Sequence, residues 1–97
     1  MKKLVSIVFV LLVFSACSEY QRVLKEEDIA AKFKMGTALY DDGKYEKANR
    51  LFLQIVPKYR GKPQAEKLMY MHSKAFYETK DYFSANYRME RFVEAYP

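Results

Sequence analysis

One offset governs this chain. Tyr40, Tyr45, Ala48, Asn49, Val56 and Tyr59 recur as Tyr77, Tyr82, Ala85, Asn86, Val93 and Tyr96, and Ala38 recurs as Ala75, each 37 residues further on. A fixed period in this range marks a repeat array, in which each unit leaves one apolar face for its neighbour to cover. Within the unit, Gly36–Phe52 reads as two short helices joined by a tight turn at 41–44. Tyr45, Ala48, Phe52 and Ile55 share one stripe of the second helix, with Leu51 and Val56 beside it. The spacing predicts an all-α chain: two helical hairpin repeats, 29–60 and 61–97, stacked as a fragment of an α-solenoid.

Local signals agree with that frame. Ile29, Phe33, Gly36 and Tyr40 stand at i, i+4, i+7 and i+11, which is helical spacing. Glycine inside a helix costs about 1 kcal/mol against alanine, so Gly36 is expected to let the partner helix approach closely. Gly43 is placed to end the first helix in a left-handed conformation. Pro57 stops or kinks the second helix, Gly61 punctuates the loop, and Pro63 suits the first turn of the next helix. In the second repeat, Ala65, Leu68, Met69, Ala75 and Phe76 form one stripe, and Tyr82, Ala85, Met89 and Phe92 form the other. Asp81 is the expected N-cap between them.

The N-terminus has a separate logic. Lys2 and Lys3 precede an apolar run of 11 residues, Leu4–Phe14. Crossing a membrane takes about 20 residues, so the run suits a signal peptide, 1–16. Ser15 and Ala16 are small enough for a peptidase site, and Cys17 follows at once. The stretch Phe14-Ser15-Ala16-Cys17 resembles that of a bacterial lipoprotein precursor, with phenylalanine where leucine is usual. That resemblance implies cleavage before Cys17 and lipidation of Cys17. Several acyl chains on one residue would exceed the two signals that stable anchoring needs. An ordinary secreted protein or an uncleaved anchor is the competing reading. Residues 17–28 are polar and read as a tether merging into the first helix.

The repeats themselves resemble tetratricopeptide repeats. Gly36, Gly43, Tyr45, Ala48 and Phe52 carry the match in the first, and Tyr82, Ala85 and Pro97 in the second, with Phe76 where an aromatic is favoured. Lys80 stands where glycine is usual and Ser73 where a small residue is usual. The spacing exceeds the common value of about 34, placing about three extra residues in the 58–63 loop. Anchor cysteine, tether and repeats together, with Asp81-Tyr82, Ala85, Arg91-Phe92-Val93 and Tyr96-Pro97, resemble the N-terminal part of the BamD family of outer-membrane assembly factors. Members of that family are longer arrays. The resemblance implies a lipid-anchored scaffold on the periplasmic face of the bacterial outer membrane, with barrel-assembly subunits or unfolded outer-membrane protein segments as partners. The alternatives are another periplasmic repeat lipoprotein, an adaptor for envelope or cell-wall machinery, and an enzyme subunit with its catalytic domain beyond Pro97.

No catalytic constellation, cofactor motif or metal site is visible. His72 is the single histidine and Cys17 the single cysteine, so neither a disulfide within the chain nor a closed zinc site can be built. A partly buried or edge histidine accounts for His72 better than a base or a ligand. Without Lys2 and Lys3 the net charge of +5 falls to +3, spread over helix faces with no basic aromatic cluster, which argues against nucleic acid as a partner.

First helices of successive hairpins line a concave groove in such arrays. By the repeat resemblance, Phe33, Thr37 and Tyr40 face it from one repeat and Lys67, Tyr70, Lys74 and Tyr77 from the other. Phe33/Tyr70 and Tyr40/Tyr77 would form two aromatic rungs, suited to an extended peptide bearing aromatics and a carboxylate. The same tyrosines could instead serve packing between repeats. Two repeats fall short of the roughly three that a stable array usually needs, so marginal folding or self-association is expected.

Overall fold

The computed structural model describes residues 18–97. The expected signal peptide, 1–16, and the expected lipidation site, Cys17, lie outside the described residues. Every regular element among those residues is helical: a stretch at 18–25 (α1), Ile29–Asp41 (α2), Tyr45–Ile55 (α3), Ala65–Glu78 (α4) and Tyr82–Ala95 (α5), with a 3₁₀ turn at Val56–Tyr59 after α3. Helices α2 and α3 pair as one hairpin, α4 and α5 as a second, and α3 packs on α4 to join them. This is the hairpin-repeat architecture expected from the 37-residue offset.

The two hairpin turns are closed in the same way. In the first, Gly43 N–H donates to Tyr40 O (3.0 Å) and Lys44 N–H to Leu39 O (2.8 Å). In the second, Lys80 N–H donates to Tyr77 O (3.0 Å) and Asp81 N–H to Phe76 O (3.0 Å). All eight groups match at the common offset, and the pattern is the Schellman ending of a helix. Gly43 takes φ 79° there; Lys80 is forced to φ 66°, a region that a side chain disfavours. Across each turn a tyrosine pair stacks edge to face, Tyr40 on Tyr45 at 5.3 Å and Tyr77 on Tyr82 at 5.4 Å. Asp81 caps α5 by accepting from Ser84 N–H (3.2 Å), and Asp28 caps α2 by accepting from Ala31 N–H (3.1 Å).

Ala48, Phe52, Ile55, Tyr59, Ala65, Leu68 and Met71 form the main core, where α3 meets α4. Gly36 explains the closeness of α2 and α3. A β-carbon on it would stand 2.6 Å from Phe52 Cε1, well inside contact distance. Its register partner Ser73 is fully buried and turns its hydroxyl back onto Met69 O (2.8 Å). The stripe of α4 runs through Leu68, Met71, His72 and Ala75, one step round from the expected Met69 and Phe76, which are only half-buried. Along α5 only Ala85 is buried, because α4 covers one side of it. Pro57 ends the α-helix at Ile55 as expected. Pro63 lies in the turn before α4 instead of inside its first turn, since Lys62 O already accepts from Ala65 N–H (3.1 Å).

The described part of the 17–28 stretch does more than connect. Tyr20 and Val23, three apart on α1, are both buried and pack on Leu51 of α3. The Tyr20 hydroxyl donates to Lys47 O (3.2 Å). Lys32 is buried, and its ammonium donates to Leu24 O (2.9 Å) and to Gln54 Oε1. A buried cation needs such acceptors, and here they fasten α1 to both helices of the first hairpin.

Candidate functional site

Helix α2 packs against α4 across the two hairpins, where the groove is expected. Tyr40 comes from the last turn of α2, and Tyr70 and Lys74, one turn apart, from the middle of α4. The Lys74 ammonium lies 6.0 Å from the Tyr70 ring centroid. The Tyr40 and Tyr70 phenols hold the Lys74 pKa above its usual value, with Tyr40 the larger influence. Burial pushes the Tyr40 phenol up, against the pull of Lys74. Lys74 thus lies by the Tyr70 ring of its own helix, and Tyr40 of the other hairpin acts on both electrostatically.

The other expected groove residues are placed differently. Phe33 is half-buried, packs on the core and stacks on Tyr59 at 5.4 Å. The Thr37 hydroxyl donates to Phe33 O (2.8 Å) within its own helix. Lys67 is exposed in the first turn of α4, on the side of Tyr70 and Lys74. Tyr77 is exposed and belongs to the turn pair with Tyr82. Tyr70 also stacks on Phe92 of α5 at 6.1 Å, and Phe92 on Tyr96 at 5.6 Å, all within the second hairpin. Glu78 was missed by the sequence reasoning. It acts electrostatically on both Tyr40 and Lys74, and its i+4 spacing from Lys74 was the available signal.

His72, expected to be partly buried or at an edge, is wholly buried, at 1 % exposure. Its Nδ1 donates to Asn49 Oδ1 (2.9 Å), which leaves Nε2 buried with no partner. Burial, and secondarily the charge of Arg88, lowers its pKa to about 4. The imidazole is therefore neutral at physiological pH and serves as an interhelical clamp between α3 and α4. Among the described residues no group of three or more His, Cys, Asp or Glu is placed to hold a metal ion, and no helix is long and apolar enough to cross a membrane.

A family model described as an outer membrane lipoprotein, YfiO, matches residues 25–97. No curated protein and no solved structure matches the chain.

Proposed function

We propose that this chain, which belongs to the YfiO family of outer membrane lipoproteins, is a lipid-anchored scaffold on the periplasmic face of the outer membrane, holding extended segments of partner or client proteins for the β-barrel assembly machinery. It acts by binding and not by catalysis. Tyr40, Tyr70 and Lys74 support this reading: they come from two hairpins and act on one another electrostatically, and Tyr70 remains 44 % exposed. Tyrosine rings offer apolar area at low entropic cost, and an ammonium beside them pairs with a carboxylate. A segment alternating aromatic and polar side chains, as a barrel strand does, fits such a surface. Lipid attachment at Cys17 would keep the groove at the membrane where such segments arrive.

The test is a titration of a fluorescent peptide copied from an outer-membrane barrel strand onto the full chain in detergent, read by anisotropy. Tyr40→Ala with Tyr70→Ala is expected to weaken binding about tenfold or more, and Lys74→Gln to weaken it by less. Unchanged affinity in both variants, with helical content intact, removes the groove from the account.

A further inference from the structure

The second hairpin carries a cleft of about 580 Å³ between the 56–61 segment, α4 and α5. The residues 37 positions earlier show its origin. In the first hairpin the corresponding joint is filled by Val23 against Leu51 and closed by Lys32, which reaches Leu24 O and Gln54. In the second, Arg60 stands at the register of Val23, Gly61 at that of Leu24, Arg88 at that of Leu51, Met69 at that of Lys32 and Arg91 at that of Gln54. Two filling side chains have become guanidinium groups and the fastening lysine has become a thioether. The second joint therefore lacks the apolar filling of the first, and its lining mixes these arginines with the apolar Val56, Ala65 and Met69.

The cations are arranged and under-used. Arg88 and Arg91 lie 5.6 and 5.2 Å from the centroid of the Tyr87 ring, so one aromatic holds both planar forks. Glu94 is 3.6 Å from Arg91, beyond hydrogen-bond distance, at an exposed edge. Neither Arg60 nor Arg88 has an ion-pair partner among the described residues.

We propose that this cleft binds a carboxylate carried beside an apolar side chain, as in an acidic peptide segment of a partner protein. Guanidinium forks match a carboxylate in planarity and donor spacing, and the apolar lining residues accept the neighbouring apolar group. A bilayer presents anionic groups as a plane, whereas these cations border a concavity that a peptide can enter. The site is separate from the Tyr40 groove and stands whether or not that groove binds a client.

The experiment follows the Nε–Hε resonances of Arg60, Arg88 and Arg91 by NMR in the full chain in detergent, during titration with a short peptide alternating phenylalanine and glutamate. Saturable shifts are expected, at least about tenfold weaker for the glutamine counterpart of the peptide and for Arg60→Gln with Arg88→Gln. Should the double variant lose its helices, Arg60→Gln alone, in an exposed loop, is expected to show the same direction. Equal binding of the glutamine peptide, no saturable shift, or the same shifts from phosphatidylglycerol vesicles without peptide would overturn the proposal.

Discussion

Replacing Gly36 by alanine puts two effects in opposition. In an exposed helix the change would stabilise by about 1 kcal/mol, because alanine is the better helix former. Here the new methyl would stand 2.6 Å from Phe52 Cε1, 3.0 Å from Cδ1 and 3.3 Å from Cζ. Relief demands a shift of close to an ångström in a ring that is fully buried and set edge-on to His72 at 6.4 Å. Overpacking of this kind costs about 1–3 kcal/mol, so the net expectation is a loss of roughly 1 kcal/mol, a fall in Tm of several degrees for a domain of this size. Urea denaturation followed by far-ultraviolet circular dichroism reads it. The same substitution on a Phe52→Leu background should lose most of its penalty, since the two residues are in contact. A Gly36→Ala protein stabilised by the full helix-propensity gain would refute the close approach of α2 and α3.

Other outcomes follow from particular residues. Lys80→Gly should stabilise by about 0.5–1 kcal/mol, because Lys80 holds φ 66° where Gly43 holds 79° at the same register; a destabilised variant in thermal melts would contradict it. His72 has a folded pKa of about 4 against 6.5, so the unfolded chain takes up the proton first as pH falls. The stability this gives is complete above pH 6.5 and is lost progressively down to pH 4, by up to about 3 kcal/mol. Urea midpoints across that range test it, and an imidazole NMR signal titrating near 6.5 would contradict it. Val23→Asp should release α1, raising amide hydrogen exchange there while protection in α4 persists; unchanged exchange in α1 would count against its docking on Leu51.

The hairpins and their turns were legible because one offset repeats both the apolar stripes and the capping residues. Gly43 and Asp81 announce their roles locally. Helix α1 left only a faint signal: Tyr20, Val23 and Leu24 stand at helical spacing, but over a single turn of a polar stretch, and their partner, Leu51, lies in another helix. That Met71 is buried, and His72 wholly so, was hidden for a related reason. The partner of His72 is Asn49 on the preceding hairpin, and sequence spacing alone does not fix which way a helix rolls. The groove shows the same limit. Equal register pairs Tyr40 with Tyr77 and Phe33 with Tyr70, yet packing of one hairpin on the next brings Tyr40 towards Tyr70 and Lys74 instead. Repeat spacing carries the unit, while the offset between units is set by side-chain packing between them.

Site-specific photo-crosslinking in living cells tests the central claim most directly, that the face between hairpins receives partner segments at the outer membrane. A photoreactive residue at Tyr70 should capture a β-barrel assembly subunit or a nascent outer-membrane protein, identified by mass spectrometry, while one at Phe83, 87 % exposed on α5, should not. Capture of those proteins at Phe83 with none at Tyr70 would contradict the account.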